Sequence, residues 1–150
     1  MKSATNPLKT KKPGYYFVLA ISLLALAQLV IYLMAFPGTQ WEPYYDQSVV
    51  LLSGAAALLG IVSLAADALF CWKAATHFGG GLCLLLSFLS FLMFNRYGYM
   101  YYSELFFGGI EVRLIFSMYY GYLYSLVSYI LIFVLGICAC FMKHDAAEEV

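Results

Sequence analysis

Residues 48–72 read SVVLLSGAAALLGIVSLAADALFCW, and this stretch decides the kind of fold that the chain adopts. Its one charged side chain is that of Asp67. A helix crosses the hydrocarbon core of a bilayer, roughly 30 Å thick, when about 20 successive residues are predominantly apolar. The stretch meets this length, and it therefore predicts a transmembrane helix.

Three further apolar runs of similar length occupy residues 15–36, 75–94 and 119–142. Hydrophobic residues make up 64% of the chain and charged residues 11%, whereas an ordinary soluble domain has about 25% charged residues. We therefore expect an all-α membrane protein, a single four-span domain folded as a four-helix transmembrane bundle. Residues 37–47 and 95–118 would then form two loops on one side of the membrane.

The basic residues predict the orientation of this bundle. Only Arg96 and Arg113 flank the spans on the side of the two loops. The opposite side carries Lys2, Lys9, Lys11, Lys12, Lys73 and Lys143. Segments rich in lysine and arginine stay in the cytoplasm. We therefore expect a multi-pass protein of the cell membrane with both termini in the cytoplasm and the two loops outside.

The chain approaches its first span through residues 11–16, Lys-Lys-Pro-Gly-Tyr-Tyr. This approach resembles that of uncharacterised four-span membrane proteins of Gram-positive bacteria, and the resemblance extends over roughly residues 1–35. It implies a bacterial plasma membrane and no particular activity.

Small residues recur at three- and four-residue steps in spans 2 and 3, which places them on one face of each helix. Helices in lipid are held together by close approach and hydrogen bonds, so such stripes indicate packing seams. The predicted helix-packing residues are Ser53, Ala56, Gly60 and Ser63 in span 2 and Gly80, Cys83, Ser87 and Ser90 in span 3. The alternative interpretations are a self-association face or the lining of a pathway.

Ionisable residues within membrane spans often mark functional sites. Asp67 lies near the inner end of span 2, within reach of Lys73 and His77. These residues could form an ion pair at the membrane surface, or they could handle protons or cations. Gln28 lies near the middle of span 1, where it could form hydrogen bonds between helices. No C-x-x-C motif occurs, and we expect no metal site and no cofactor.

Residues 101–116 alternate between two faces, as a β-hairpin does. Gly108-Gly109 would form the turn, because both central positions of such a turn need a positive φ. In this register Glu104 lies opposite Arg113. The sequence thus favours an extracytoplasmic hairpin between spans 3 and 4. In the alternative interpretation, span 4 begins earlier, near Ile110.

The two outer loops combine aromatic and charged side chains, which can bind a protein or a sugar through stacking and hydrogen bonds. The predicted docking surface consists of Trp41, Glu42, Tyr44, Tyr45 and Asp46 from the first loop and Tyr102, Glu104 and Arg113 from the second. The alternative is an aromatic belt at the membrane surface with ordinary loop packing.

The sequence contains no set of nucleophile and base, metal ligands or phosphate-binding loop that would indicate catalysis. We expect a non-enzymatic protein that serves as an accessory or scaffold subunit of a larger membrane complex. Its partners would be the lipid bilayer and either another membrane protein or a second copy. The net charge is zero, so the chain lacks the excess of positive charge that nucleic-acid binding requires. The alternative function is a self-associating small-solute transporter or channel that uses the span 2 stripe and Asp67.

Overall fold

Four long helices make up most of the structure, a computed structural model that describes residues 13–39, 42–70, 73–97 and 120–141. The helices are α1 (Pro13–Ala35), α2 (Gln47–Phe70), α3 (Lys73–Phe94) and α4 (Tyr120–Phe141). Short 3-10 turns occupy Glu42–Tyr44 and Asn95–Tyr97. Within the described ranges the chain contains helices and no strand.

All four helices are long and apolar enough to cross a membrane. The prediction of four spans in an all-helical bundle is confirmed, and each helix end lies within two residues of its predicted position. The predicted hairpin at residues 101–116 lies outside the described residues. The orientation of the termini stays a prediction.

The exposed surface of the bundle is built mainly from large apolar side chains. Only 33–39% of the residues in each span are buried inside the bundle. Side chains such as Leu58, Leu69 and Phe78 point outward and are largely exposed. A surface of this kind is stable in contact with lipid tails, so this is an integral membrane protein.

The turn between α1 and α2 is closed by local hydrogen bonds. The Thr39 hydroxyl donates to the carbonyl of Ala35 at 2.8 Å, and this bond satisfies an acceptor at the end of α1. Gly38 has a φ of +69°, which a residue without a Cβ adopts easily. Asp46 caps α2, because its Oδ1 accepts a hydrogen bond from the Ser48 amide at 2.8 Å.

The helices are packed unequally around the bundle. α2 and α3 pack most extensively, α1 packs on both α2 and α4, and α3 has much less contact with α4. Aromatic rings fill the interior at the end of the bundle where α1 and α3 finish. There Phe94 stacks on Tyr122 with ring centroids 5.1 Å apart, and it also meets Tyr32 and Tyr129.

Candidate functional site

The small residues of α2 lie against those of α3 in an antiparallel seam. The hydroxyl oxygens of Ser53 and Ser90 are 2.8 Å apart. A Cβ placed on Gly60 would lie 3.4 Å from the Cys83 sulfur. Steps of seven residues along α2 are thus matched by equal steps back along α3, and α3 lies close enough to α2 for hydroxyl groups to bond across the seam.

Gly60 also lets α1 approach α2. A Cβ on Gly60 would lie 2.8 Å from the Ser22 Cβ, closer than real Cβ contacts, and closer still to the Ser22 hydroxyl. That hydroxyl donates to the carbonyl of Val18 in its own helix. Gly80 faces α1 too, because a Cβ there would lie 3.0 Å from the Val18 Cγ2. Three helices therefore meet around these glycines.

The remaining predicted packing residues are all buried in the bundle. Ala56 and Ser87 are almost fully buried. Ser63 faces α3, where a Cβ on Gly79 would overlap its side chain. The stripe prediction did not include Gly79, because periodicity alone does not separate it from its neighbour Gly80.

A polar layer formed by all four helices crosses the bundle interior, and we define it by Gln28, Ser53, Ser90 and Tyr129. The Tyr129 hydroxyl lies 2.7 Å from the Ser90 hydroxyl oxygen and 3.5 Å from that of Ser53. Ser90 also donates to the carbonyl of Val49 at 3.3 Å. The Gln28 side chain lies beside the Tyr129 hydroxyl. Hydroxyl groups from α2, α3 and α4 therefore form one network.

Gln28 is the exception within this layer. Its side chain is 0% exposed, and neither its amide nitrogen nor its amide oxygen has a hydrogen-bond partner among the described residues. Burying an amide without a partner costs roughly 2–7 kcal/mol. The sequence placed Gln28 near the middle of span 1, but the position of Tyr129 beside it depends on how α1 and α4 pack.

The predicted ion-handling residues lie at the end of the bundle where α2 stops and α3 begins. Asp67 is 5% exposed, and the α2–α3 register places it level with Thr76, which is also buried. His77 is exposed. The Lys73 side chain lies outside the part of the structure that is described, so an ion pair between Asp67 and Lys73 stays a prediction.

The described residues of the predicted docking surface have local structural partners. Glu42 accepts a hydrogen bond from the Gly38 amide at 3.2 Å. The Asp46 amide donates to the Tyr32 hydroxyl at 2.8 Å, and Tyr45 stacks on the Tyr32 ring with centroids 5.7 Å apart. Tyr44 is half-buried against the core. The other residues predicted for this surface lie outside the described ranges: Trp41, Tyr102, Glu104 and Arg113.

An apolar groove of about 460 Å³ lies between α3 and α4. We call it the α3–α4 groove and define it by its lining residues, Leu84, Leu85, Phe88, Phe133, Gly136 and Ile137. Gly136 brings α4 close to α3, because a Cβ there would overlap the Leu84 side chain. Leu85 and Ile137 are exposed, so the groove opens outward, toward lipid.

The polar layer and the α3–α4 groove offer neutral hydrogen bonding and apolar packing. Cys83 and Cys138 are free thiols. Among the described residues, no three His, Cys, Asp or Glu side chains come together in a way that could hold a metal ion. No family model matches the chain, and neither a curated protein nor a solved structure matches it.

Proposed function

We propose that this protein is a non-enzymatic accessory subunit of a membrane assembly and that the α3–α4 groove holds a transmembrane helix of its partner. The support comes from the unequal packing of the bundle. α1 packs on both of its neighbours and α2 packs closely on α3, whereas α3 and α4 leave an apolar groove that opens toward lipid.

The groove has the shape and chemistry that helix association in lipid requires. Without a hydrophobic force between helices, association depends on close packing of side chains in fitted surfaces. Phe88 and Phe133 meet with ring centroids 6.0 Å apart and form a wall across the groove. Exposed Leu85 and Ile137 flank the opening. Apolar side chains of a partner helix would enter between them.

The side chains that line the groove are all apolar. Ser53, Ser90 and Tyr129 bond to one another in the interior. A partner in the membrane would therefore recognise this protein by shape and apolar contact. We place the assembly in the cell membrane, with both termini of this chain in the cytoplasm, as the distribution of basic residues predicts.

Site-specific photocrosslinking in native membranes tests the proposal. A benzophenone amino acid replaces Ile137, which lines the groove and is 62% exposed, or Leu58, which lies on α2 and is 66% exposed. We expect a crosslink from position 137, and not from position 58, to a transmembrane peptide of a different protein. Crosslinks to lipid alone, or equal crosslinks from both positions, would contradict the proposal. A crosslink from position 137 to a second copy would favour a homo-oligomer.

A small-solute transporter or channel is the second candidate, and the burial of Asp67 favours it. The carboxyl group lies in the α2–α3 seam at 5% exposure, level with buried Thr76. Ionisable residues placed inside a membrane bundle commonly serve ion or proton movement. The effect of Asp67→Asn on partner binding and on solute flux separates the two candidates.

A further inference from the structure

The side-chain amide of Gln28 is buried inside the membrane-spanning bundle without hydrogen-bond partners among the described residues. A carboxamide has two N–H donors and an oxygen that accepts two hydrogen bonds. Buried polar groups in proteins are nearly always hydrogen-bonded, and lipid tails offer no partner. The described residues leave both amide atoms of Gln28 without one. A molecule that donates and accepts at once would satisfy them.

Two more buried hydroxyl groups without a hydrogen bond among the described residues lie one helical turn from members of the polar layer. The Ser87 hydroxyl is buried and without a hydrogen bond, one helical turn from Ser90 on the same face of α3. The Ser125 hydroxyl is buried and unmatched as well, one turn from Tyr129 on α4. By contrast, three other serines each donate to a carbonyl of their own helix: Ser22, Ser63 and Ser128.

The polar layer carries no charge, so its ligand should be a neutral molecule. The layer consists of one amide and several hydroxyl groups. The charged group of α2, Asp67, lies 14 residues from Ser53, which is about 21 Å of helix rise. A buried ion needs an opposite charge to offset the loss of its hydration. Water needs only two to four polar partners, and it both donates and accepts.

We infer that Gln28 anchors an internal water site in the polar layer, with the Tyr129 hydroxyl as the second anchor. The water donates to the Gln28 amide oxygen and accepts from its amide group or from the tyrosine hydroxyl. Ser87 and Ser125 extend the site by one helical turn in each direction. The neighbouring part of the α2–α3 seam, at Gly60 and Cys83, is closely packed.

Water-edited solid-state NMR on the full-length protein tests this site directly. The protein is labelled with ¹⁵N-glutamine and placed in bilayers of deuterated lipid, so that magnetisation reaches a side-chain amide only from water or protein protons. The chain has three glutamines, and Gln47 at the exposed start of α2 provides the reference for a hydrated amide. The variant Gln28→Leu identifies the Gln28 signal by its disappearance.

We expect the Gln28 side-chain amide to gain magnetisation from water at a rate comparable with that of Gln47. Tyr129→Phe removes the second anchor and should reduce this transfer. Tyr124→Phe is the matched control, because Tyr124 is on the same helix and largely exposed, and it should leave the transfer unchanged. A Gln28 amide that stays without water transfer in the wild-type protein, while Gln47 receives it, would overturn the inference whether or not the variants fold.

Discussion

Ser90 on α3 and Tyr129 on α4 hold their hydroxyl oxygens 2.7 Å apart in the bundle interior. Around this bond Phe91 and Phe94 pack on the Tyr129 ring. The α3–α4 groove lies further along both helices, toward the start of α3 and the end of α4. The Ser90–Tyr129 bond therefore joins α3 and α4 at one end of the groove. A partner helix in the groove would pack against two helices that are held together there.

The Ser90–Tyr129 bond should have a measurable coupling energy. A double-mutant cycle with Ser90→Ala and Tyr129→Phe should give about 0.6 kcal/mol, and at most about 1.7, as for other interhelical hydrogen bonds in membranes. Reversible unfolding in mixed micelles provides the free energies. The cycle of Tyr129→Phe with Ser22→Ala is the control, since Ser22 bonds within its own helix. Equal coupling in both cycles would show that the bond contributes nothing specific.

Gly60→Leu should destabilise the bundle, because the new side chain meets Ser22 on α1 and Cys83 on α3. Overpacking of this kind costs about 1–3 kcal/mol. Gly81→Leu is the matched control, since a Cβ at Gly81 meets nothing within 4 Å. Thermal unfolding in detergent should show a clear loss for the first variant and little change for the second. Similar losses for both would exclude a close approach of the three helices at Gly60.

Asp46→Ala should loosen the first turn of α2, because it removes the cap on the Ser48 amide. Loss of such a cap costs about 0.5–2 kcal/mol, and Asp46→Asn should retain most of it. Hydrogen exchange at residues 47–50 measures the effect. If Asp46→Ala and Asp46→Asn exchange alike, the carboxylate oxygen is not the group that closes this helix end.

The orientation can be tested by labelling single cysteines in an otherwise cysteine-free protein. In intact cells an impermeant maleimide should label Glu42→Cys, since that position is exposed in the loop between α1 and α2. It should label Asp145→Cys only after the cells are opened. The reverse pattern would show that the excess of lysines does not set the topology here.

Asp67→Asn separates an accessory subunit from a transporter, because it keeps the shape of the side chain and removes its charge. In an accessory subunit the photocrosslink from position 137 should persist in Asp67→Asn protein. Reconstituted vesicles should show no solute flux with either form. Flux through the wild-type protein in the absence of a partner, abolished in Asp67→Asn vesicles, would reverse this assignment in favour of transport.

The sequence was sufficient to predict the spans, because hydropathy and length alone decide which segments cross a bilayer. The three- and four-residue spacing of the small residues in span 2 also identified the side of that helix that is buried. Ser53, Gly60 and Ser63 are all buried in the bundle. Such periodicity describes one helix at a time. It therefore identifies the buried face of that helix but does not say which other helices pack against this face.

The neighbours of each face depend on how the four helices are arranged. Gly60 contacts α1 as well as α3, and Gly80 faces Val18 on α1. No local pattern marks Tyr129 as the residue beside Gln28, because the two are far apart in the chain. Asp46 and Tyr45 look like a polar and aromatic surface in the sequence, but the cap and the stacking on Tyr32 involve them in the fold itself.

The matched positions of α2 and α3 have a consequence for the handedness of this helix pair. Two observed contacts lie one heptad apart, Ser53 with Ser90 and Gly60 with Cys83, and the same register places Asp67 level with Thr76. A seven-residue repeat that continues along two helices favours a left-handed supercoil, with a crossing angle of about 20°. A partner in the α3–α4 groove would therefore meet α3 as one strand of a left-handed two-helix coil, closely packed on its other side against α2.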